Sequence, residues 1–269
     1  MTGVINTKAI VQVLVLSGLL CWFSDACAWG REGHKVVAII AEGKLTPRAR
    51  AEVTAILNVE GETSISQIAS WADDVRTTEP DLPSHAVRIP FAADAYDPDR
   101  DCAKKRECVI KAIDDVERTL GDSRSSPESK VRALKFLVHY VGDIHQPLHT
   151  IKETGAMSVE VDGKAYKLHK VWDTLSVRNF HMSPQAIAVS LTRKGGAVVQ
   201  GTPVKWAEET HQIAKNYVYH GDERLAASDS MSIQPDYLDA IRPVVEGRLY
   251  AAGVRLAGEL NRIFGAEYH

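Results

Sequence analysis

Four dipeptides in which a hydroxyl residue precedes proline divide this chain, and each begins an apolar pattern with helical spacing. A serine or threonine side chain can accept hydrogen bonds from the first free N–H groups of a helix. Proline suits the next position because it has no N–H to leave unpaired. The four dipeptides are Thr46-Pro47, Ser126-Pro127, Ser183-Pro184 and Thr202-Pro203. They predict a chain built mainly from helices.

The clearest helix follows Ser126, where apolar residues recur at helical spacing until Pro147 ends the pattern. Other helices are predicted near residues 33–43, 47–58, 64–76, 107–121, 184–193, 203–219 and 235–264. The last contains Pro243, which predicts a kink or a break.

One segment has the pattern of a β-hairpin. Val159 and Val161 alternate with polar residues, and Asp162-Gly163 then precedes a second short extended run. The expected fold class is therefore mainly α, with one small β-hairpin.

The first 28 residues resemble a secretory signal peptide. Lys8 precedes an apolar run that ends at Phe23 and is short for a membrane span of about 20 residues; the small-residue triplet 26–28 suits cleavage. The alternative is an uncleaved membrane anchor. Cleavage would make Trp29 the first residue of a secreted or periplasmic protein. No linker or repeat divides residues 29–269, so we expect a single domain and a monomer, without membrane attachment after cleavage.

Net charge bears on the class of binding partner, and the cysteines bear on the compartment of the protein. The formal net charge of −3 does not give the basic footprint of an ordinary nucleic-acid binder, although bound cations would alter that balance. Cys102 and Cys108 are expected to close a short local disulfide in an oxidising compartment; the alternative is two reduced thiols.

The densest group of possible metal ligands is "HYVGDIHQPLH", residues 139–149. His139 and Asp143 are four residues apart on the predicted helix and therefore share a face. His149 lies just beyond the helix. His169 and Asp173 repeat the same spacing.

Two further candidates lie upstream, at Asp73 in "WADD" and at His85 in "SHAVRIP". Imidazole and carboxylate ligands without thiolates suit zinc in a site that keeps a water. The alternative is a scatter of unrelated surface charges.

With these motifs in view, the sequence resembles the tri-zinc, single-strand-specific nucleases (the S1/P1 nuclease type). The resemblance spans essentially residues 29–269, from "WGREGH" through "SWADDVR" and "HAVRIP" to "LKFLVHYVGDIHQPLH" and "LHKVWD". It implies the multi-helix fold that this family shares with zinc-dependent phospholipase C. It also implies hydrolysis of single-stranded DNA and RNA to 5′-phosphate products, with activity on 3′-mononucleotides.

The resemblance implies three Zn²⁺ ions and a residue that contacts the scissile phosphate, Arg76; the alternative for Arg76 is a surface salt bridge, for example with Asp74. The ligands would be Asp73, His85, His139 and Asp143 for the first ion, His149, His169 and Asp173 for the second, and Trp29 (amine and carbonyl), His34 and a shared Asp143 for the third. A water between two ions would then be available as hydroxide to attack phosphorus. The resemblance gives His145 and Asp74 no ligand role.

Two departures from the family pattern concern the substrate pocket. Ala86 and Arg88 stand where relatives commonly carry a base-stacking aromatic residue and an acidic or amide residue. Gly155-Ala156-Met157 replaces a usual Gly-Gly-Asn, so contacts of that asparagine are not transferred. Tyr166, Lys167 and Arg88 are candidate substitutes; the alternative is that all three are ordinary surface residues.

Two other functions are compatible with these motifs. Zinc-dependent phospholipase C shares the fold and the N-terminal tryptophan, but its last ligand is typically glutamate, where this chain has Asp173. A secreted helical protein that binds zinc without catalysis is the second alternative. The second ligand group argues against it, because three protein ligands leave room for water.

Overall fold

The computed structural model describes residues 29–76, 78–79, 81–102, 108–153 and 157–265, so the predicted signal peptide lies outside the described residues. In chain order the elements are α1 Gly30–Gly43, α2 Pro47–Asn58, α3 Ile65–Ile68, α4 Trp71–Val75, α5 Pro98–Asp101, α6 Val109–Gly121, α7 Pro127–Asp143, β1 Ser158–Val161, β2 Lys164–Lys167, α8 Leu168–Lys170, α9 Ser176–Arg178, α10 Pro184–Lys194, α11 Pro203–Ile213, α12 Glu223–Ala226 and α13 Tyr237–Gly265. A 3₁₀ turn, Pro147–His149, follows α7. Short π-helical segments continue α8 over Val171–Leu175 and α11 over Ala214–Val218.

All four predicted helix starts are confirmed. The hydroxyls of Thr46, Ser126 and Ser183 each accept from a backbone N–H three residues on, at 3.2 Å. Thr202 does the same at 3.4 Å. In α2, α7, α10 and α11 the capping hydroxyl and the proline that follows it therefore determine the residue at which the helix begins.

Helix α7 lies at the centre of the molecule. Its residues from Ala133 to Asp143 are all buried, and it packs against α1, α4, α6 and α13. Helix α1 in turn packs along α13 and α10. The end of α7 that carries His139 and Asp143 is therefore enclosed on several sides.

The predicted helix over 64–76 is interrupted, and this break positions the site. A capping box of Ser64 and Gln67 begins α3, and Ser70, with φ −106° and ψ 4°, separates it from α4. The amide of Asp73 therefore bonds to the carbonyl of Ser70, at 3.2 Å, and not to that of Ala69. The Ala69 carbonyl instead accepts from the ring of His139.

The sequence predicts a kink or a break at Pro243; there is no break, since α13 is a single helix that continues through that residue. Proline removes only one backbone donor here, in the second turn of a 29-residue helix whose buried face packs on α1, α2 and α7. The short helices α5, α8, α9 and α12 were not predicted, because three or four residues are too few to give a periodic pattern.

The predicted hairpin is confirmed. Strands β1 and β2 pair antiparallel, with Val161 opposite Lys164 and Ser158 opposite Lys167. Asp162 and Gly163 both have positive φ, at 50° and 73°, as a two-residue type I′ turn requires.

Two other sequence predictions concern the disulfide and the absence of a membrane span. The disulfide between Cys102 and Cys108 is present, with the two Cα atoms 5.2 Å apart. Among the described residues no helix combines the length and the apolar character needed to cross a membrane.

Candidate metal centre

His139 is held by the carbonyl that the break after α3 leaves free. Its Nδ1 lies 2.9 Å from the Ala69 carbonyl, and since a carbonyl can only accept, Nδ1 carries the proton. Its Nε2 therefore faces the cluster of side chains beyond it and carries the lone pair when the ring is neutral. An imidazole fixed in this way is the usual arrangement of a metal-binding histidine.

Four ligand atoms converge around the buried end of α7. The distances from His139 Nε2 are 3.1 Å to His85 Nδ1, 3.4 Å to Asp73 Oδ1 and 3.3 Å to Asp143 Oδ2. From His85 Nδ1 they are 3.5 Å to Asp73 Oδ1 and 3.1 Å to Asp143 Oδ2. The structure thus brings together all four residues predicted for the first ion.

These spacings fit zinc. Bonds of about 2.0–2.2 Å to nitrogen and oxygen place tetrahedral ligand atoms about 3.3–3.6 Å apart, close to the observed values. Several buried polar atoms of the region also lack hydrogen-bond partners among the described residues: both ring nitrogens of His34, Asp73 Oδ1, His85 Nε2, both oxygens of Asp143 and Asp173 Oδ2. A cation would satisfy carboxylate oxygens that are otherwise costly to bury.

Asp143 faces two groups of ligands. Its Oδ2 lies in the four-atom cluster, and its Oδ1 lies 3.3 Å from His34 Nε2. His34 comes from α1 and stacks on the ring of His139, with 3.9 Å between centroids. A carboxylate with one oxygen on each side is suited to bridge two ions.

Gly142 allows His34 to lie this close to α7. A Cβ at position 142 would stand 2.7 Å from His34 Nδ1, a distance that real side chains do not adopt. Trp29 is fully buried beside this contact, and its indole nitrogen donates to the Gly142 carbonyl at 3.0 Å. The Trp29 carbonyl accepts from the Gly33 amide, also at 3.0 Å.

The residues predicted for the second ion are near one another but less tightly gathered. The rings of His149 and His169 lie 5.8 Å apart, and His149 Nδ1 lies 2.9 Å from the His85 carbonyl. Asp173 accepts from the amide of Gln146 through Oδ1, while its buried Oδ2 has no hydrogen-bond partner among the described residues. Among the described residues, two sets of three possible ligands have their ligand atoms within 4.8 Å of one another. They are His34, Asp73 and His139, and His85, His139 and Asp143. Neither set includes a residue predicted for the second ion.

The two parts of the site differ in protonation. Burial opposes ionisation of Asp143 and Asp73, but His139 outweighs it: the pKa of Asp143 lies well below its usual value and that of Asp73 is lowered to about 2. For His139 the same carboxylates overcome burial and raise its pKa to about 9.

Burial dominates in the second group. It lowers the pKa of His149 to about 4 and that of His169 to about 3, so both rings are neutral and able to ligate near pH 7. Burial raises the pKa of Asp173 well above its usual value. Zinc binding would therefore displace a proton from His139 near pH 7.

The predicted phosphate contact, Arg76, lies at the rim. Its Nη1 is 3.6 Å from Asp73 Oδ1, and 41% of its side chain is exposed. Asp74, one possible salt-bridge partner of Arg76, accepts from both terminal nitrogens of Arg31. His145 bonds through Nδ1 to the Val141 carbonyl and through Nε2 to Arg255, so both of its nitrogens are engaged.

The predicted substitutes in the substrate pocket have distinct surroundings. Ala86 is 4% exposed, whereas 47% of the Arg88 side chain is exposed. Tyr166 is partly buried against the core and Lys167 is exposed. Met157 is buried, and Gly155 and Ala156 lie outside the described residues.

Several residues that support the ligands were missed from the sequence. Glu153 Oε2 lies 3.3 Å from His169 Nδ1, and the Tyr219 hydroxyl donates to its other oxygen at 2.8 Å. Gln146 orients Asp173. Gln146 lies within the ligand-rich motif and could have been suspected, but no local pattern connects Glu153 with Tyr219.

Comparison with known proteins identifies the family of this chain. The family profile described as S1/P1 nuclease matches residues 29–265. Nuclease S1 of Aspergillus oryzae is 31% identical, over 87% of this chain and 91% of the relative. Nuclease P1 of Penicillium citrinum is 29% identical over 89% and 99%, and endonuclease 2 of Arabidopsis thaliana is 29% identical over 95% and 97%.

Proposed function

Because this chain belongs to the S1/P1 nuclease family, and is therefore a zinc-dependent nuclease that hydrolyses phosphodiesters in single-stranded nucleic acid, we propose that the buried cluster around Asp143 is its catalytic centre. The observation that carries this assignment is the Asp143 carboxylate. Its two oxygens face separate histidines at 3.1 to 3.3 Å, and neither has another hydrogen-bond partner among the described residues.

Three zinc positions are proposed. Asp73, His85, His139 and Asp143 hold the first ion, and His149, His169 and Asp173 hold the second. The third takes His34, Asp143 and the amine and carbonyl of Trp29. The amine is available only if the peptide bond before Trp29 is cut, so residues 1–28 are proposed as a signal peptide whose removal completes the site. Export by this route implies a secreted or periplasmic enzyme, with residues 29–269 as a single domain.

Residues of this chain bind the substrate and orient the zinc ligands. Zinc at such sites supplies Lewis acidity and lowers the pKa of water from about 15.7 toward 7. Arg76, half exposed at the rim, binds the non-bridging oxygens of the scissile phosphate and stabilises the charge that develops there. Glu153 and Gln146 hold His169 and Asp173 in the orientation that ligation requires.

The proposed substrates are single-stranded DNA, single-stranded RNA and 3′-mononucleotides, with 5′-phosphate ends left on cleaved strands and with a monomer as the active species. The recessed position of the cluster supports a preference for single strands, because a flexible strand can bring a phosphodiester to buried ligands more readily than a duplex can.

The test is a zinc count on the protein that begins at Trp29, beside four assays: denatured DNA, the same DNA as duplex, single-stranded RNA and a 3′-mononucleotide. We expect three zinc equivalents per chain, cleavage of both single-stranded polymers, and release of phosphate from the mononucleotide. Equal rates on duplex and denatured DNA, or full activity after removal of zinc by a chelator, would overturn the proposal.

A further inference from the structure

Arg88 occupies a fixed position beside the second ligand group. The Val87 amide donates to the His149 carbonyl at 2.9 Å, and the Lys152 amide donates to the Ile89 carbonyl at 2.8 Å. These two bonds bracket Arg88 in sequence. Its backbone is therefore tied to the turn that carries His149.

The guanidinium of Arg88 is partly held by this turn and partly open to solvent. Its Nη1 donates to the carbonyls of Leu148, at 3.0 Å, and Ile151, at 3.3 Å. Its Nε and Nη2 make no hydrogen bond to the described residues, and 47% of the side chain is exposed. An arginine anchored through one nitrogen keeps donors with which it can bind a ligand.

A shared carboxylate links Arg88 to His169. Glu153 Oε2 lies 3.7 Å from Arg88 Nη1 and 3.3 Å from His169 Nδ1. After burial, the charge of Arg88 is among the causes that lower the pKa of both His149 and His169. The cation is therefore within electrostatic reach of the second ligand group.

The neighbouring position offers no surface for a base. Ala86, which directly follows the ligand His85, is 4% exposed and presents only a methyl group. Stacking of a base on an aromatic ring contributes about 1–3 kcal/mol, and this position cannot supply it. A guanidinium, in contrast, forms charge-assisted bonds to phosphate that do not depend on the base.

We propose that Arg88 binds a second phosphate of the strand, adjacent to the scissile phosphate at Arg76, so that the substrate is recognised through two backbone phosphates instead of a stacked base. This inference rests on the proposed function. It predicts similar cleavage of purine and pyrimidine strands and a preference for oligonucleotides over substrates with one phosphate.

The experiment compares the zinc-loaded wild type with Arg88→Gln, Arg88→Lys and a matched control, Arg124→Gln. Arg124 is 88% exposed, pairs with Asp122 and lies in the turn between α6 and α7. Each protein is assayed on a thymidine octanucleotide, an adenosine octanucleotide and thymidine 3′-phosphate over a range of salt concentrations. Zinc content and Tm are measured in parallel.

For Arg88→Gln we expect kcat/KM on both octanucleotides to fall about tenfold more than on thymidine 3′-phosphate, mainly through KM, as for loss of one charge-assisted bond. The slope of log(kcat/KM) against log salt should become shallower by about 0.7, the value for one phosphate contact on a single strand. Arg88→Lys should restore most of that slope, and Arg124→Gln should match the wild type.

Other outcomes overturn the inference. Equal losses on octanucleotide and mononucleotide, or loss of zinc in both Arg88 variants, would make Arg88 a structural support for His149. A loss confined to one octanucleotide would mean that Arg88 reads a base. If the wild type cuts no octanucleotide at all, the proposed function itself fails, which separates that failure from failure of the Arg88 inference.

Discussion

Replacement of Gly142 by alanine tests whether His34 must lie against α7. The added Cβ would stand 2.7 Å from His34 Nδ1 and 2.9 Å from Cε1, whereas ordinary contacts begin at 3.4 Å. The ring must therefore withdraw by about 0.7 Å, because a packed interior leaves few other ways to relieve the overlap. Metal-ligand distances tolerate only about 0.2 Å, so the His34 position should fail as a ligand.

We expect Gly142→Ala to weaken zinc at this position by about 10- to 100-fold, with a matching loss of single-strand cleavage. Overpacking should also lower the free energy of unfolding by about 1–3 kcal/mol. The assays are zinc titration, thermal unfolding and release of acid-soluble nucleotides from denatured DNA.

The matched control is Gly247→Ala in α13, where an added Cβ meets no atom within 4 Å. Alanine is favoured over glycine in a helix by about 0.5–1 kcal/mol, so this variant should be slightly stabilised and fully active. Three zinc ions bound at wild-type affinity in Gly142→Ala, with an unchanged rate, would refute the role given to His34.

The Trp29 amine, the His139 proton and the Glu153 carboxylate each affect zinc binding in a way that can be measured. A protein with one extra residue before Trp29 should keep its fold but lose one zinc and most of its activity; three bound ions at full rate would contradict the role of the amine. Zinc affinity, measured by chelator competition at pH 6, 7 and 8, should fall at least about tenfold for each unit by which the pH is lowered. The reason is that neighbouring carboxylates raise the pKa of His139 to about 9, so its proton competes with zinc below that pH. Equal zinc affinity at the three pH values would exclude this competition. Glu153→Gln should weaken the second zinc about tenfold, because His169 Nδ1 loses its carboxylate partner, whereas unchanged affinity would leave Glu153 without a positioning role.

Much of the fold could be predicted because its signals are local. A hydroxyl residue before proline fixes a helix start from within four residues, and the starts of α2, α7, α10 and α11 are confirmed for that reason. The turn at Asp162-Gly163 is equally local. By contrast, nothing in "WADDVR" shows that Ser70 interrupts the helix before it and frees the Ala69 carbonyl for His139.

The candidate site could be predicted only in part for the same reason. Helical spacing places His139 and Asp143 on one face, as the structure has them, 3.3 Å apart. The approach of His34 to the other oxygen of Asp143 depends on the packing of α1 against α7 and on the absence of a side chain at Gly142. Such contacts join residues more than 100 positions apart, and no local pattern in one sequence encodes them.

If Asp143 holds two zinc ions, as we propose, its replacement by asparagine should change the zinc content of the protein. Asp74→Asn is the matched control, since Asp74 is a nearby exposed carboxylate that pairs with Arg31. We predict three zinc ions per chain in the control and at most one in Asp143→Asn, with loss of single-strand cleavage and an unchanged helical circular dichroism spectrum. Two or more zinc ions retained in Asp143→Asn, or cleavage at the rate of the control, would show that Asp143 does not hold two ions of the catalytic centre.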